Sequence, residues 1–191
     1  MVAERSAELG LISKEFGVSY QDYKALHRHL FQDVYEWAGE TRTIDTSKWD
    51  MRYARPQFID SEMEKRFQRI RDDNNLKGLA PEEFSHKAAE HLSEINAIHT
   101  FREGNGRTQR EFLLVLGEQA GHRIDLERID PGRWTDARRQ GFHGDCKSLQ
   151  DLIAKSIVDR EAEHRRALSR AAREVKAKEA LERDNDHEHE R

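Results

Sequence analysis

His99-Thr100-Phe101-Arg102-Glu103-Gly104-Asn105-Gly106-Arg107-Thr108-Gln109-Arg110 brings a base, a carboxylate, two glycines around an asparagine and two arginines into one short stretch. The glycines permit a tight turn whose backbone N–H groups point at one anion, and the residues after Gly106 look helical, so the turn feeds a helix N-terminus. Gly104, Asn105 and Gly106 therefore read as a phosphate seat. Arg107 and Arg110 lie three apart, on one face of that helix, where forked guanidinium groups suit the outer phosphates of a nucleotide. Glu103 offers a hard oxygen ligand to a magnesium ion carried on those phosphates. His99 is the natural general base, because its ordinary pKa lies closest to neutrality. The spacing alone supports phosphoryl or nucleotidyl transfer to a positioned hydroxyl.

Working outward, both flanks read as rigid helices. Pro81 starts one at the position where its missing N–H costs nothing, and Phe84, Ala88, Leu92, Ile95 and Ile98 form a buried stripe that delivers His99 at the C-terminal end. Phe112, Leu113, Val115 and Leu116 give an apolar helix ending near Gly121, and Phe101 reads as the anchor plugging the loop into the core. Further upstream, Ser19 caps a helix in which Tyr23, Leu26, Leu30, Phe31, Val34, Tyr35, Trp37 and Ala38 recur at helical spacing up to Gly39. Residues 40–58 lack that period and predict a short hairpin or extended loop ending at Pro56. Ser61 and Glu64 open a helix carrying Met63, Phe67 and Ile70, Asp130-Pro131 opens another, and Leu149, Leu152, Ile153 and Ile157 close the core. Met1 to Phe16 reads as a short helix, and the fold class is all-α. His27 and His29 point in different directions on their helix, and His91, Glu94 and His99 lack the spacing of a helical zinc motif, so no metal site is read there.

The stretch from His99 to Arg110 resembles the signature of the Fic family, His-Pro-Phe-x-(Asp/Glu)-Gly-Asn-Gly-Arg-x-x-Arg, at every fixed position except the second, where Thr100 replaces proline. The resemblance continues through residues 26–39 and Pro56-Gln57-Phe58-Ile59, so that it covers most of residues 19–160. It implies a Fic-fold helical bundle with a short β-hairpin, the flap, over the active site. In Fic proteins the flap pairs main chain to main chain with the target. Lys48, Trp49, Asp50, Met51, Arg52 and Tyr53 would then touch the target protein. The implied reaction is transfer of AMP from ATP, with Mg2+, to a Tyr, Ser or Thr hydroxyl. Gly104, Asn105 and Gly106 would hold the α-phosphate, Arg107 and Arg110 the outer phosphates, Glu103 the metal, and His99 would take the hydroxyl proton.

The pattern (Ser/Thr)-x-x-x-Glu-(Gly/Asn), by which Fic proteins commonly inhibit themselves, is absent outside the catalytic loop. The resemblance is therefore to toxin members, neutralised by a small antitoxin that presents its glutamate to the residue matching Arg110. Type II topoisomerase subunits are a recurrent target of such toxins. Thr100 keeps one alternative open, a Fic-fold module that binds nucleotide with little or no activity.

Composition bounds the rest. A chain of 191 residues is long enough for one well-buried core, here residues 1–160. Residues 161–191 change to Glu, Arg, Lys and Ala and read as a long charged helix fraying at its end. A net charge of −4 argues against direct nucleic-acid binding. No apolar run suggests a membrane span or signal peptide, and the single cysteine, Cys146, forms no internal disulfide. The expected compartment is the cytoplasm.

Overall fold

Helix α4 (Pro81–Ile98) runs through the middle of the structure because one face of it is continuously apolar and its start and end are both marked in the sequence. Pro81 occupies the first helical position, and the helix stops at Ile98 because His99 turns left-handed. The computed structural model describes residues 2–158, the side chains of 10–12 and 14 apart. Among them the other helices are α1 (Val2–Ile12), α2 (Tyr20–Phe31), α3 (Ile59–Asp72), α5 (Asn105–Ala120), α6 (Pro131–Phe142) and α7 (Lys147–Ser156). A two-stranded antiparallel hairpin, β1 (Ser47–Lys48) and β2 (Met51–Arg52), is paired Ser47 to Arg52 and Lys48 to Met51. The charged segment 161–191 lies outside the described residues.

Helices α3, α5, α6 and α7 all pack on α4, and α2 packs on α5. The core between them is aromatic. Tyr23 meets Phe101 at 5.5 Å and Phe112 at 5.4 Å between ring centroids, and Phe67 meets Phe112 at 5.4 Å. Each such ring buries on the order of 200 Å², and these contact geometries add about 1 kcal/mol per pair beyond burial. Phe101 is fully buried among them, so the loop after α4 is pinned to the core at its third residue. The bundle with its short hairpin is the architecture that the periodicity implies. His91 packs inward and bonds Asp73 at 3.1 Å.

One helix is shorter than its periodicity suggests. α2 ends at Phe31, and residues 32–39 form successive turns, with Tyr35 N–H donating to Phe31 C=O and Ala38 N–H to Tyr35 C=O. The rings of Phe31, Tyr35 and Trp37 stack in sequence, at 5.8 and 4.3 Å, while Val34 faces solvent. An aromatic ladder in turns mimics helical spacing because turn residues also return to one side every three or four positions. Ser19 accepts from Asp22 N–H, Asp130 from Arg133 N–H, and Gly121 ends α5 at φ 92°, as read. Ser61 and Glu64 do not open their helix: α3 starts at Ile59 after the short turn Pro56–Phe58, and the Ser61 hydroxyl, already inside it, donates to Phe58 C=O at 3.0 Å.

Candidate active site

His99 sits at φ 56° and ψ 67°, a left-handed conformation that costs a residue with a β-carbon about 1 kcal/mol. Arg42 holds it there. This fully buried arginine donates from Nε to the His99 carbonyl at 2.7 Å and from Nη2 to the Ile98 carbonyl at 3.2 Å. It also donates to the Ala54 and Ile44 carbonyls at 2.5 and 2.6 Å. One guanidinium therefore satisfies carbonyls at the end of α4 and braces the base of the hairpin against them. The imidazole lies flat on the Tyr53 ring, 3.6 Å between centroids and 10° between planes. Burial, then the charges of Arg138 and Arg42, push the His99 pKa down to about 3, with a smaller push from Lys48 and an opposing effect of the Asn96 backbone. The ring is neutral at pH 7, the form able to accept a proton.

The loop between α4 and α5 is closed by its own asparagine. Asn105 Oδ1 accepts from Phe101 N–H at 2.9 Å and Nδ2 donates to Phe101 C=O at 2.7 Å. The Asn105 side chain thus closes the loop with one donor and one acceptor of its amide. The loop also offers the cavity its main chain. Gly104 is the N-cap of α5 at φ 81° and has no side chain to cap it, so the N–H groups of the first turn have no hydrogen-bond partner among the described residues. A β-carbon at Gly104 would lie 2.7 Å from the Phe31 ring and 3.2 Å from His27 Nε2. His27 supports the loop from below. Its Nδ1 accepts from Gly39 N–H at 2.9 Å, which leaves Nε2 to donate to Glu103 C=O at 3.1 Å, and the ring stacks on Phe101 at 3.8 Å.

These groups line one cavity of about 440 Å³. His99, Glu103, Gly104, Asn105, Gly106, Arg107 and Arg110 all border it, so the predicted constellation is brought together. Among the described residues Glu103 is the one carboxylate on the cavity wall, solvent-facing, with Oε1 accepting from Gly104 N–H at 3.0 Å and lying 3.8 Å from Arg107. Arg107 rests on the Phe31 ring at 4.6 Å, and Arg110 lies 3.5 Å from Glu111 with its Nε buried and unpaired. Thr100 is buried with an unpaired hydroxyl, and its carbonyl accepts from Arg42 N–H at 3.0 Å.

The hairpin divides the six residues read as target-docking. Lys48, Trp49, Asp50 and Arg52 are exposed, whereas Met51 and Tyr53 are buried beneath the strand. Strand alternation is the reason: residues two apart share a face, and the face holding Met51 and Tyr53 closes on His99. Tyr53 therefore stacks on the His99 ring beneath the hairpin, whereas the exposed residues of the hairpin face outward. Asp50 at the hairpin tip pairs with Arg139 at 3.3 Å and His143 at 3.2 Å, which latches the hairpin to α6.

The model of the Fic/DOC family matches residues 17–116, a segment running from before α2 into α5 and containing the whole loop. The chain belongs to the Fic/DOC family. It is 43% identical over 141 residues to the Sinorhizobium fredii protein named "Probable protein adenylyltransferase y4lH", covering 73% of each. It is 37% identical over 155 residues to protein adenylyltransferase VbhT of Bartonella schoenbuchensis, covering 81% of this chain and 32% of VbhT. The fold matches BepC of Bartonella tribocorum, solved with bound AMPPNP, at a TM-score of 0.75 and 26% identity over 83% of both chains.

Within the Fic fold three supporting side chains escaped the sequence reading: His27, Arg42 and Arg138. His27 left a signal, since it falls four residues after Tyr23 and four before Phe31, on the buried face of α2. Burial lowers its pKa to about 4, as it lowers that of His99 to about 3. Below an unfolded-state pKa of about 6.5 the unfolded chain binds protons that these two rings refuse. Stability of the Fic domain should therefore fall as pH drops from about 6.5 towards 4, by up to about 1.4 kcal/mol per pH unit for each ring. Urea unfolding at pH 7 and pH 5 checks this; His27→Leu should show the smaller difference, and equal differences would remove His27 as a cause.

Proposed function

We propose that the chain transfers AMP from ATP to a hydroxyl side chain of another protein, and that a separate small polypeptide inhibits it. The carrying observation is one cavity shared by a neutral, oriented imidazole, the uncapped first turn of α5 and two arginines on the face of that helix. Relatives named as protein adenylyltransferases and a similar fold solved with an ATP analogue support the same reading.

In this mechanism the backbone N–H groups at the start of α5 receive the α-phosphate, while Arg107 and Arg110 draw the β- and γ-phosphates along the helix. The target hydroxyl, held by the exposed edge of the hairpin, attacks phosphorus. Its proton passes to His99, the new oxygen–phosphorus bond forms, and the bond to pyrophosphate breaks. Negative charge that builds on the phosphate oxygens meets dipoles that are already in place. Glu103, with one carboxylate oxygen that makes no hydrogen bond or ion pair to a described residue and no second carboxylate among the described residues of the wall, suits a magnesium ion that arrives on the nucleotide. Such an ion would neutralise phosphate charge.

For inhibition, the chain lacks the self-inhibitory pattern, and Arg107 and Arg110 also border a second, more open cavity of about 1030 Å³. Its walls are α1, α5 and residues 123–129, with Leu30, Leu114 and Ile129 among its apolar lining. A helix from an antitoxin lying there would bring a glutamate to Arg110. Type II topoisomerase subunits are the first targets to test, in the cytoplasm of the producing cell. Among the described residues no helix is long and apolar enough to cross a membrane.

The test is labelling of a bacterial lysate by the purified chain with magnesium and either α- or γ-labelled ATP. A protein band labelled from the α position alone is the expected result. Label from γ would replace this reading with a kinase-like one, and no label from either, with purified topoisomerase subunits added, would reject it.

A further inference from the structure

Arg138 comes from α6, outside the loop, yet its guanidinium lines the same cavity. Nε donates to Gln109 Oε1 at 2.7 Å and Nη2 donates to Asn96 Oδ1 at 2.5 Å. Both acceptors are neutral amides. Among the described residues no carboxylate lies within ion-pair distance of it, although burial disfavours its charge strongly enough to lower its pKa. A cation withdrawn from water is costly unless an anion answers it, and a structural brace is made as well by an uncharged side chain. The remaining nitrogen, Nη1, makes no hydrogen bond to a described residue and faces Gly106: a β-carbon there would stand 2.3 Å from it. The guanidinium can lie this close to the first turn of α5 because residue 106 has no side chain, and Nη1 takes the space that one would fill. Trp134, one turn earlier on α6, donates from its indole nitrogen to the Gly106 carbonyl at 3.0 Å and ties α6 to the same turn.

We propose that Arg138 is a third phosphate-binding arginine, whose Nη1 contacts the phosphate seated on the first turn of α5, with Gln109 and Asn96 fixing its other two nitrogens. The assignment rests on the AMP-transfer reading and extends it to a residue outside the loop. As the hydroxyl oxygen bonds to phosphorus and pyrophosphate departs, Nη1 meets charge on a non-bridging oxygen of the transferred group while His99 keeps the proton. A second consequence follows for the base. His99 is faced by Arg42 from the segment before the hairpin, by Lys48 and Tyr53 from the hairpin, by Arg138 from α6 and, across the cavity, by Glu103. Arg138 is the cation in this set whose charge a bound phosphate directly offsets, so nucleotide binding raises the proton affinity of His99 when a proton has to be taken.

The test compares the full chain with Arg138→Gln and Arg138→Lys in two assays. The first is thermal unfolding with and without magnesium and AMPPNP. The second is the initial rate of α-label transfer in a lysate from pH 5.5 to 8. Arg138→Gln should unfold within a few degrees of the parent without nucleotide, lose at least half of the nucleotide-induced rise, and label about 100-fold more slowly. Arg138→Lys, which keeps a cation at this position, should regain at least tenfold in rate. A bracing role predicts the opposite pattern, a lower unfolding temperature without nucleotide and an unchanged nucleotide-induced rise, and that result overturns the proposal. A parent that binds nucleotide and transfers label, matched by Arg138→Gln, removes the role of Arg138 alone; a parent that does neither removes the AMP-transfer reading with it.

Discussion

His99→Ala should lower the rate of AMP transfer about 1000-fold while leaving the affinity for ATP within a few-fold of the parent. The imidazole touches the hydroxyl proton in the proposed reaction, whereas the phosphates are held by α5 and the arginines, so the loss falls on turnover. Because burial and the neighbouring cations keep the ring neutral, with a pKa of about 3 before nucleotide binds, the parent loses no base as pH moves between 6.5 and 8. The ratio of parent to variant rates should accordingly stay constant over that range. A variant that retains a tenth of the activity, or a ratio that changes tenfold per pH unit, would show that another group removes the proton. Tyr53 stacks on the ring and is the residue through which a hairpin mutation would reach the base without touching it.

Arg42→Ala should be the most destabilising single change outside the aromatic core. It strands four carbonyls, those of Ile44, Ala54, Ile98 and His99, in a region where the arginine itself is 1% exposed. Unpaired buried carbonyls and the lost packing together cost about 3–5 kcal/mol, equivalent to roughly 10 °C or more in a domain of this size. Arg42→Lys should recover little, since a single ammonium cannot reach acceptors spread around a planar fork. Urea unfolding measures the loss. Transfer activity measured below the unfolding transition should fall as well, because among the described residues the His99 carbonyl has no other donor. A variant with parental midpoint and activity would mean that water or a neighbouring donor replaces the guanidinium.

The contrast between His99 and Arg42 explains what the sequence discloses. His99, Glu103, Arg107 and Arg110 stand within one loop and one helical turn, so their chemistry is adjacent in the chain before it is adjacent in space. The bounds of α4, α5 and α6 are equally visible, through Pro81, Gly121 and the Asp130-Pro131 pair. Arg42 and Arg138 carry no such sign. Each is one of 33 lysines and arginines in the chain, and only the fold reveals that the partners of one are carbonyls and those of the other amides, most of them distant in sequence. Asn105 is visible in the sequence as part of the phosphate seat, but its two bonds to Phe101, which close the loop, appear only in the fold. The hairpin was legible as an element, whereas its inward face was not, because two-residue strands are too short to display an alternation.

The cavity wall has a further consequence for how a nucleotide arrives. Lys48, Arg107, Arg110, Arg138 and Arg139 face a single carboxylate across it, inside a chain whose net charge is −4. At a distance the protein repels a polyanion, and only within a Debye length of the opening, about 8 Å at physiological ionic strength, does the attraction take over. Salt screens the distant repulsion more than the enclosed attraction. Capture of nucleotide by this enzyme is therefore governed by a short-range well behind a weak outer barrier, and moderate salt lowers that barrier before it drains the well.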